Sequence, residues 1–148
     1  MKRLIIPAAI IFLFAFSTIS AQNQPIYKMI GKNCSEVKKI YGKPKKHDAS
    51  NKSMECVFYK NKFSRMVFVG NESGVFQAEL NRSFSSKEKA ESFFEDYLSN
   101  CEKDGFKKDS IDVYEYDFRK SGKRVNISMF HNRMKKKYEV GVKAKKSG

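Results

Sequence analysis

The chain has no tryptophan, only two histidines and only three cysteines in 148 residues. Each scarcity excludes something. No C-x-x-C or H-x-x-x-H spacing occurs and no carboxylates cluster, so neither a metal site nor a cofactor fingerprint is written here. Three cysteines cannot build the disulfide framework of a small secreted scaffold. The longest apolar run, Leu4 to Phe16, is thirteen residues, short of the ~20 that a membrane-spanning helix needs. Acidic residues are also scarce, with 16 Asp+Glu against 30 Lys+Arg, for a net charge of +14. A charge of that size bears on solubility and on polyanionic partners rather than on fold.

What is present begins with the first 21 residues. Met1-Lys2-Arg3 is a short basic start, the apolar run follows, and Ser17 to Ala21 is a small-residue exit. This layout predicts a secretory signal peptide over 1–21, a mature domain over 22–148 and a location in the periplasm or outside the cell. No cysteine follows the run to carry a lipid. The remaining length fits one domain with a real core, supplied largely by phenylalanine and tyrosine.

Past a polar leader with Pro25, Asn33 and Glu36 have the spacing of a capping box. Val37, Ile40 and Tyr41 form an apolar stripe, and Gly42 and Pro44 end the helix. Residues 43–53 read as an exposed lysine-rich loop. Three short β-patterns follow over 55–59, 65–69 and 75–80, separated by turn chemistry. Ala90, Phe93, Phe94, Tyr97, Leu98 and Cys101 then mark one face of a strong helix over 86–104, capped by Gly105. Three more alternating patterns, 112–118, 124–130 and 137–143, close the chain. The expected fold is α+β: an antiparallel sheet of about six strands in αβββ-αβββ order, with both helices packed on one face. That order suggests an internal duplication of 30–81 and 85–145.

Gly31, Asn33, Glu36, Val37, Gly42 and Pro44 spell G-x-N-x-x-E-V-x-x-x-x-G-x-P. This resembles the helix motif of the small outer-membrane assembly lipoproteins and of the secreted β-lactamase-inhibitor proteins. Asn33 stands where those families usually carry threonine, and the lipid-bearing cysteine of the lipoproteins is missing. The resemblance covers about a tenth of the chain. It implies a helix laid on an antiparallel sheet and a binding role in the envelope or outside the cell, and it transfers no functional residue.

Candidate sites are few. The stripe position of Cys101 and the alternation of Cys56 with Phe58 favour a Cys56–Cys101 bridge with Cys34 alkylatable, against an alternative of buried free thiols. Placing Cys56 and Phe58 inward leaves Val57, Tyr59, Val67 and Val69 as an apolar strip on the second face of the first meander. Such a strip is either a docking surface or is covered by the leader through Ile26, Tyr27 and Ile30. Lys43, Lys45 and Lys46 in the first loop, and Lys135, Lys136 and Lys137 in the last turn, are candidate anion-binding clusters. No aromatics are interleaved between them, which argues against sequence-specific reading of nucleic acid. The functional expectation is therefore a non-enzymatic binding protein with no cofactor and no metal, whose partner is an unidentified protein or an anionic envelope polymer. The alternative is a small ribonuclease-like hydrolase using His47 and His131 as acid and base.

Overall fold

The computed structural model describes residues 24–148; the expected signal peptide lies outside the described residues. Helix α1 spans Cys34–Tyr41 and is held at its start by a full capping box. The Asn33 side chain accepts from the Glu36 amide at 2.9 Å, and the Glu36 carboxylate accepts from the Asn33 amide at 2.9 Å. These reciprocal bonds satisfy two donors that a helix start otherwise leaves open. Helix α2 spans Lys87–Lys103 behind the Ser86 cap.

The strands are β1 (Lys46–Asp48), β2 (Glu55–Lys60), β3 (Ser64–Asn71), β4 (Gly74–Phe84), β5 (Lys107–Asp112), β6 (Glu115–Lys120), β7 (Lys123–Asn132) and β8 (Lys137–Lys146). They form one antiparallel sheet in the order β1-β2-β3-β4-β8-β7-β6-β5. Each half is a helix followed by a four-stranded meander, and the halves join where β4 pairs with β8. The sheet therefore has eight strands rather than about six. Both extra strands, β1 and β5, lie at the edges and are exposed along their length. Their sequences, Lys-His-Asp and Lys-Lys-Asp-Ser-Ile-Asp, have no apolar alternation because neither face of them meets the core. Charge of this kind also blunts a free sheet edge.

The helices pack on one face, as the patterns predict. A single registered row, Phe118, Val125, Ala144, Ala78, Phe68 and Val57, crosses six strands and is buried throughout. Ala90, Phe94, Tyr97 and Cys101 of α2 join the same core, as does Val37 of α1. Tyr41 of α1 lies against Tyr59 and Phe68, with ring centroids 5.9 and 5.2 Å away. The leader does not remain a polar tail. Ile26–Met29 forms a short 3-10 helix whose Ile26, Tyr27 and Met29 are buried. The Tyr97 hydroxyl accepts from the Ile26 amide at 2.8 Å, and Tyr27 donates to Asp104 at 2.7 Å. The leader thus completes the core beneath the helices instead of covering the opposite face.

One close approach depends on glycine. Gly31 donates to the Val75 carbonyl and Val75 donates to the Lys32 carbonyl, both at 2.8 Å, tying the leader to the start of β4. Gly74 lies beside this clasp at φ +101°, and a Cβ there would stand 2.6 Å from the Gly31 carbonyl oxygen. Only glycine accepts both the angle and the approach.

Candidate functional site

The register divides the expected apolar strip. Val57 pairs with Phe68, and Tyr59 with Met66, so both point toward the helices. Val57 is fully buried, and Tyr59 donates its hydroxyl to the Gly42 carbonyl at 2.9 Å. Val67 and Val69 point the other way, registered with Phe58 and Cys56. The four residues Val57, Tyr59, Val67 and Val69 are therefore not one surface. What the helix-free face carries on β2 and β3 is a half-buried patch of Cys56, Phe58, Val67 and Val69. The inversion has a plain cause: every residue from 56 to 59 is apolar, so alternation alone could not choose the inner pair.

Cys56 thereby lies across the sheet from Cys101, and all three cysteines are free. The expected Cys56–Cys101 bridge is not made, because the sheet itself separates the two side chains. Burial, reinforced by the neighbouring Glu55 carboxylate, pushes the Cys34 thiol up to about 11. Burial also raises Cys101, to about 12, ahead of the nearby Asp104. Neither is a nucleophile at neutral pH. We expect alkylation of the native protein to label half-buried Cys56 first, with Cys34 and Cys101 reacting only on unfolding. Peptide mapping after a brief iodoacetamide pulse checks this, and early labelling of Cys34 contradicts it.

The other half of the helix-free face is polar. A depression of about 400 Å³ is lined by Glu79, Asp117, Arg124, Asn126 and Lys143, among others. Asp117 is buried yet accepts from Arg124 and from Asn126. Burial alone would raise its carboxyl, but these two donors outweigh that and hold it below the usual carboxylate range. The group is internally satisfied. Asp117, Arg124 and Asn126 satisfy one another across the β6–β7 pairing.

The histidines do not meet. His47 is on edge strand β1 beside Glu55, with 2.5 Å between ring nitrogen and carboxylate oxygen. His131 is on β7, stacked on Tyr138 at 4.6 Å. Five strand spacings separate β1 from β7, roughly 24 Å at ~4.8 Å each. No small substrate spans both rings.

The two basic clusters lie toward the same end of the sheet, four strand spacings apart. Lys46 registers with Phe58 and Lys45 donates to the Phe58 carbonyl, so residues 43–46 lie at the end of the sheet where β2 turns into β3. The β7–β8 turn with Lys135, Lys136 and Lys137 closes the same end, because Phe84 at the end of β4 pairs with Tyr138. Lys62 and Arg82 sit between the two clusters. Apolar side chains emerge here as well. Phe63 in the β2–β3 turn is 50% exposed, Phe130 is 47% exposed and Met134 is 97% exposed. Val113 and Tyr114, in the β5–β6 turn, complete the row, the latter accepting at its carbonyl from Met129 at 2.9 Å. Of the seven large exposed apolar residues, only Met54 lies at the opposite end, in the β1–β2 loop.

Cations lie over aromatic rings at this end. The Phe63 ring is flanked by the ammonium groups of Lys62 at 5.4 Å and Lys137 at 5.7 Å. Arg82 lies over Phe84 and Phe93 at 5.4 and 5.0 Å. Glu139 is the acid beneath the turn; it is buried and accepts from Lys135 at 3.0 Å and from Asn132 at 3.2 Å. Lys43, Lys45, Lys46 and Lys136 have no ion-pair partner among the described residues.

No protein-family model matches the chain, and no curated protein matches it. Among solved structures, an extracellular protein containing a SCP domain from Bacillus anthracis str. Ames aligns over 84% of this chain at 13% identity. The TM-score is 0.46, and the chain spans 46% of that protein. No helix among the described residues is long and apolar enough to cross a membrane, and no group of three or more metal-ligating side chains occurs among them.

The sequence reading identified the lysines at this end but missed Phe63, Phe130 and Met134. A signal was available for two of them. Met134 stands in Arg-Met-Lys-Lys-Lys and Phe63 in Lys-Asn-Lys-Phe, and an apolar residue inside a charged turn has no strand to bury it. Phe130 carried none, since it continues an alternating β-pattern.

Proposed function

We propose that this chain is an exported, non-enzymatic binding protein of the periplasm or extracellular space that engages an anionic partner through the 43–46/132–137 end of its sheet. One observation carries the reading: two basic clusters far apart in sequence are brought to one end, together with most of the exposed apolar side chains. The signal-like start and the resemblance to envelope-binding families through Gly31, Asn33 and Gly42 support the location. Lysines surrounded by free solvent on a protein of net charge +14 attract polyanions in proportion to their clustering.

Retention on immobilised polyphosphate tests this. Exchanging Lys135, Lys136 and Lys137 for glutamate should lower the eluting salt far more than the matched exchange of Lys107, Lys108 and Lys145, which lie elsewhere. Equal losses would reduce the effect to net charge and remove the site. RNA hydrolysis by the purified domain, lost in His131→Ala, would establish the hydrolase reading instead.

A further inference from the structure

We propose that the anionic partner is a lipid surface, and that the end of the sheet carrying Phe63, Phe130 and Met134 docks on it by inserting these side chains between lysine-bound headgroups. The inference rests on the proposed binding role and names its partner. Three features separate a lipid surface from a soluble polyanion. First, Phe63 and Met134 stand in turns and Phe130 lies two residues from the end of β7, each about half exposed or more, and none of them lines the depression on the helix-free face. A protruding set without a complementary hollow suits a deformable layer better than a shaped protein surface. Second, Met134 is 97% exposed, at the tip of a turn whose neighbours are Arg133 and Lys135. A phosphate polymer would satisfy the bases and leave this thioether in water, and methionine offers no ring on which a nucleobase could stack. Third, the charges match. The lysines around the turn face outward, while Glu139 is withdrawn beneath it and already paired. Anionic headgroups would meet no free carboxylate between these bases.

The backbone adds an independent sign. Lys136 has φ +50° and is the one non-glycine residue at positive φ among those described. Glycine or asparagine occupies such a turn position with less strain. Lys136 thereby holds a charge beside Met134 in a conformation that residues other than glycine seldom adopt.

The lack of tryptophan makes the test clean. In the otherwise unaltered chain, Met134→Trp places a single tryptophan at the tip, where its exposure leaves the fold undisturbed. We expect its emission to shift to the blue on adding vesicles of equal parts phosphatidylglycerol and phosphatidylcholine, and not with phosphatidylcholine alone. Co-sedimentation with the mixed vesicles should weaken about tenfold or more in the Phe63→Ser/Met134→Ser variant, whose melting midpoint and polyphosphate retention stay unchanged. Raised salt should weaken wild-type binding. Polyphosphate binding without vesicle binding would overturn the lipid inference and leave the proposed function standing. Vesicle binding that the serine variant retains, or that brings no blue shift, would overturn the insertion. Loss of both binding activities in the wild type would overturn the inference and the proposed function together.

Discussion

Val57→Asp should unfold the protein under conditions where Val69→Asp folds normally. The two valines sit on facing strands of one hairpin and differ only in the side of the sheet they occupy. Val57 is fully buried in registry with Phe68, beneath the aromatic group that Tyr41 of α1 makes with Tyr59 and Phe68. Its loss removes about 1.5–3 kcal/mol of burial, and an unpaired polar group in its place costs ~2 kcal/mol or more. Together these approach the ~5–15 kcal/mol that holds a typical domain folded. Burial raises the pKa of the introduced carboxyl, so the folded state favours the protonated form. The penalty is therefore smallest in acid and grows as pH rises through the carboxyl's ordinary unfolded value. Val69 lies on the helix-free face, half exposed, where a carboxylate keeps its water. Urea titrations followed by circular dichroism at two pH values measure both variants. Equal destabilisation would mean that the inner and outer faces of β2 and β3 are wrongly assigned.

Gly74→Ala carries the second large effect. The added methyl would stand 2.6 Å from the Gly31 carbonyl oxygen and 2.8 Å from its carbon, both backbone atoms that cannot swing aside. The φ of +101° is unfavourable for alanine before any contact is counted. Relief requires breaking the two hydrogen bonds that tie the leader to β4. We expect a loss of about 3 kcal/mol or more, roughly 10 °C in the thermal midpoint for a domain of this size. Gly122→Ala is the control. It also has positive φ, at +73°, but nothing lies within 4 Å of its added methyl. Its cost is the backbone preference alone, about 1 kcal/mol. Similar midpoints for the two variants would show that the clasp at Gly31 contributes nothing.

Most of the fold was legible where one physical signal acted alone. The α2 stripe from Ala90 to Cys101 has helical spacing and charged flanks, and the Asn33/Glu36 spacing was enough to set the start of α1. The β6, β7 and β8 patterns alternate apolar with polar residues, so the buried Phe118, Val125, Ile127 and Val140 were on the expected face. Legibility failed where the signal was doubled or missing. Residues 56–59 are apolar on both sides, and only pairing with β3 decides that Val57 and Tyr59 go inward. Strands β1 and β5 have no apolar alternation, with Ile111 the single apolar residue between them, and pairing with one neighbour is all that makes them strands. The basic end was half visible: its lysines cluster in sequence, but the approach of Lys137 to Phe63 exists only once β4 and β8 have paired.

That central pairing also orders how the molecule assembles. Every other strand contact, β1–β2, β2–β3, β3–β4, β5–β6, β6–β7 and β7–β8, is between chain neighbours. Each closes a short loop at small entropic cost. Only β4–β8 joins segments separated by a whole helix and three strands. Contact order therefore leads us to expect the pairing of the two meanders along this seam to limit the folding rate. Substitutions at Ala78, Leu80, Val142 and Ala144 should slow refolding, whereas those in the outer hairpins should chiefly speed unfolding.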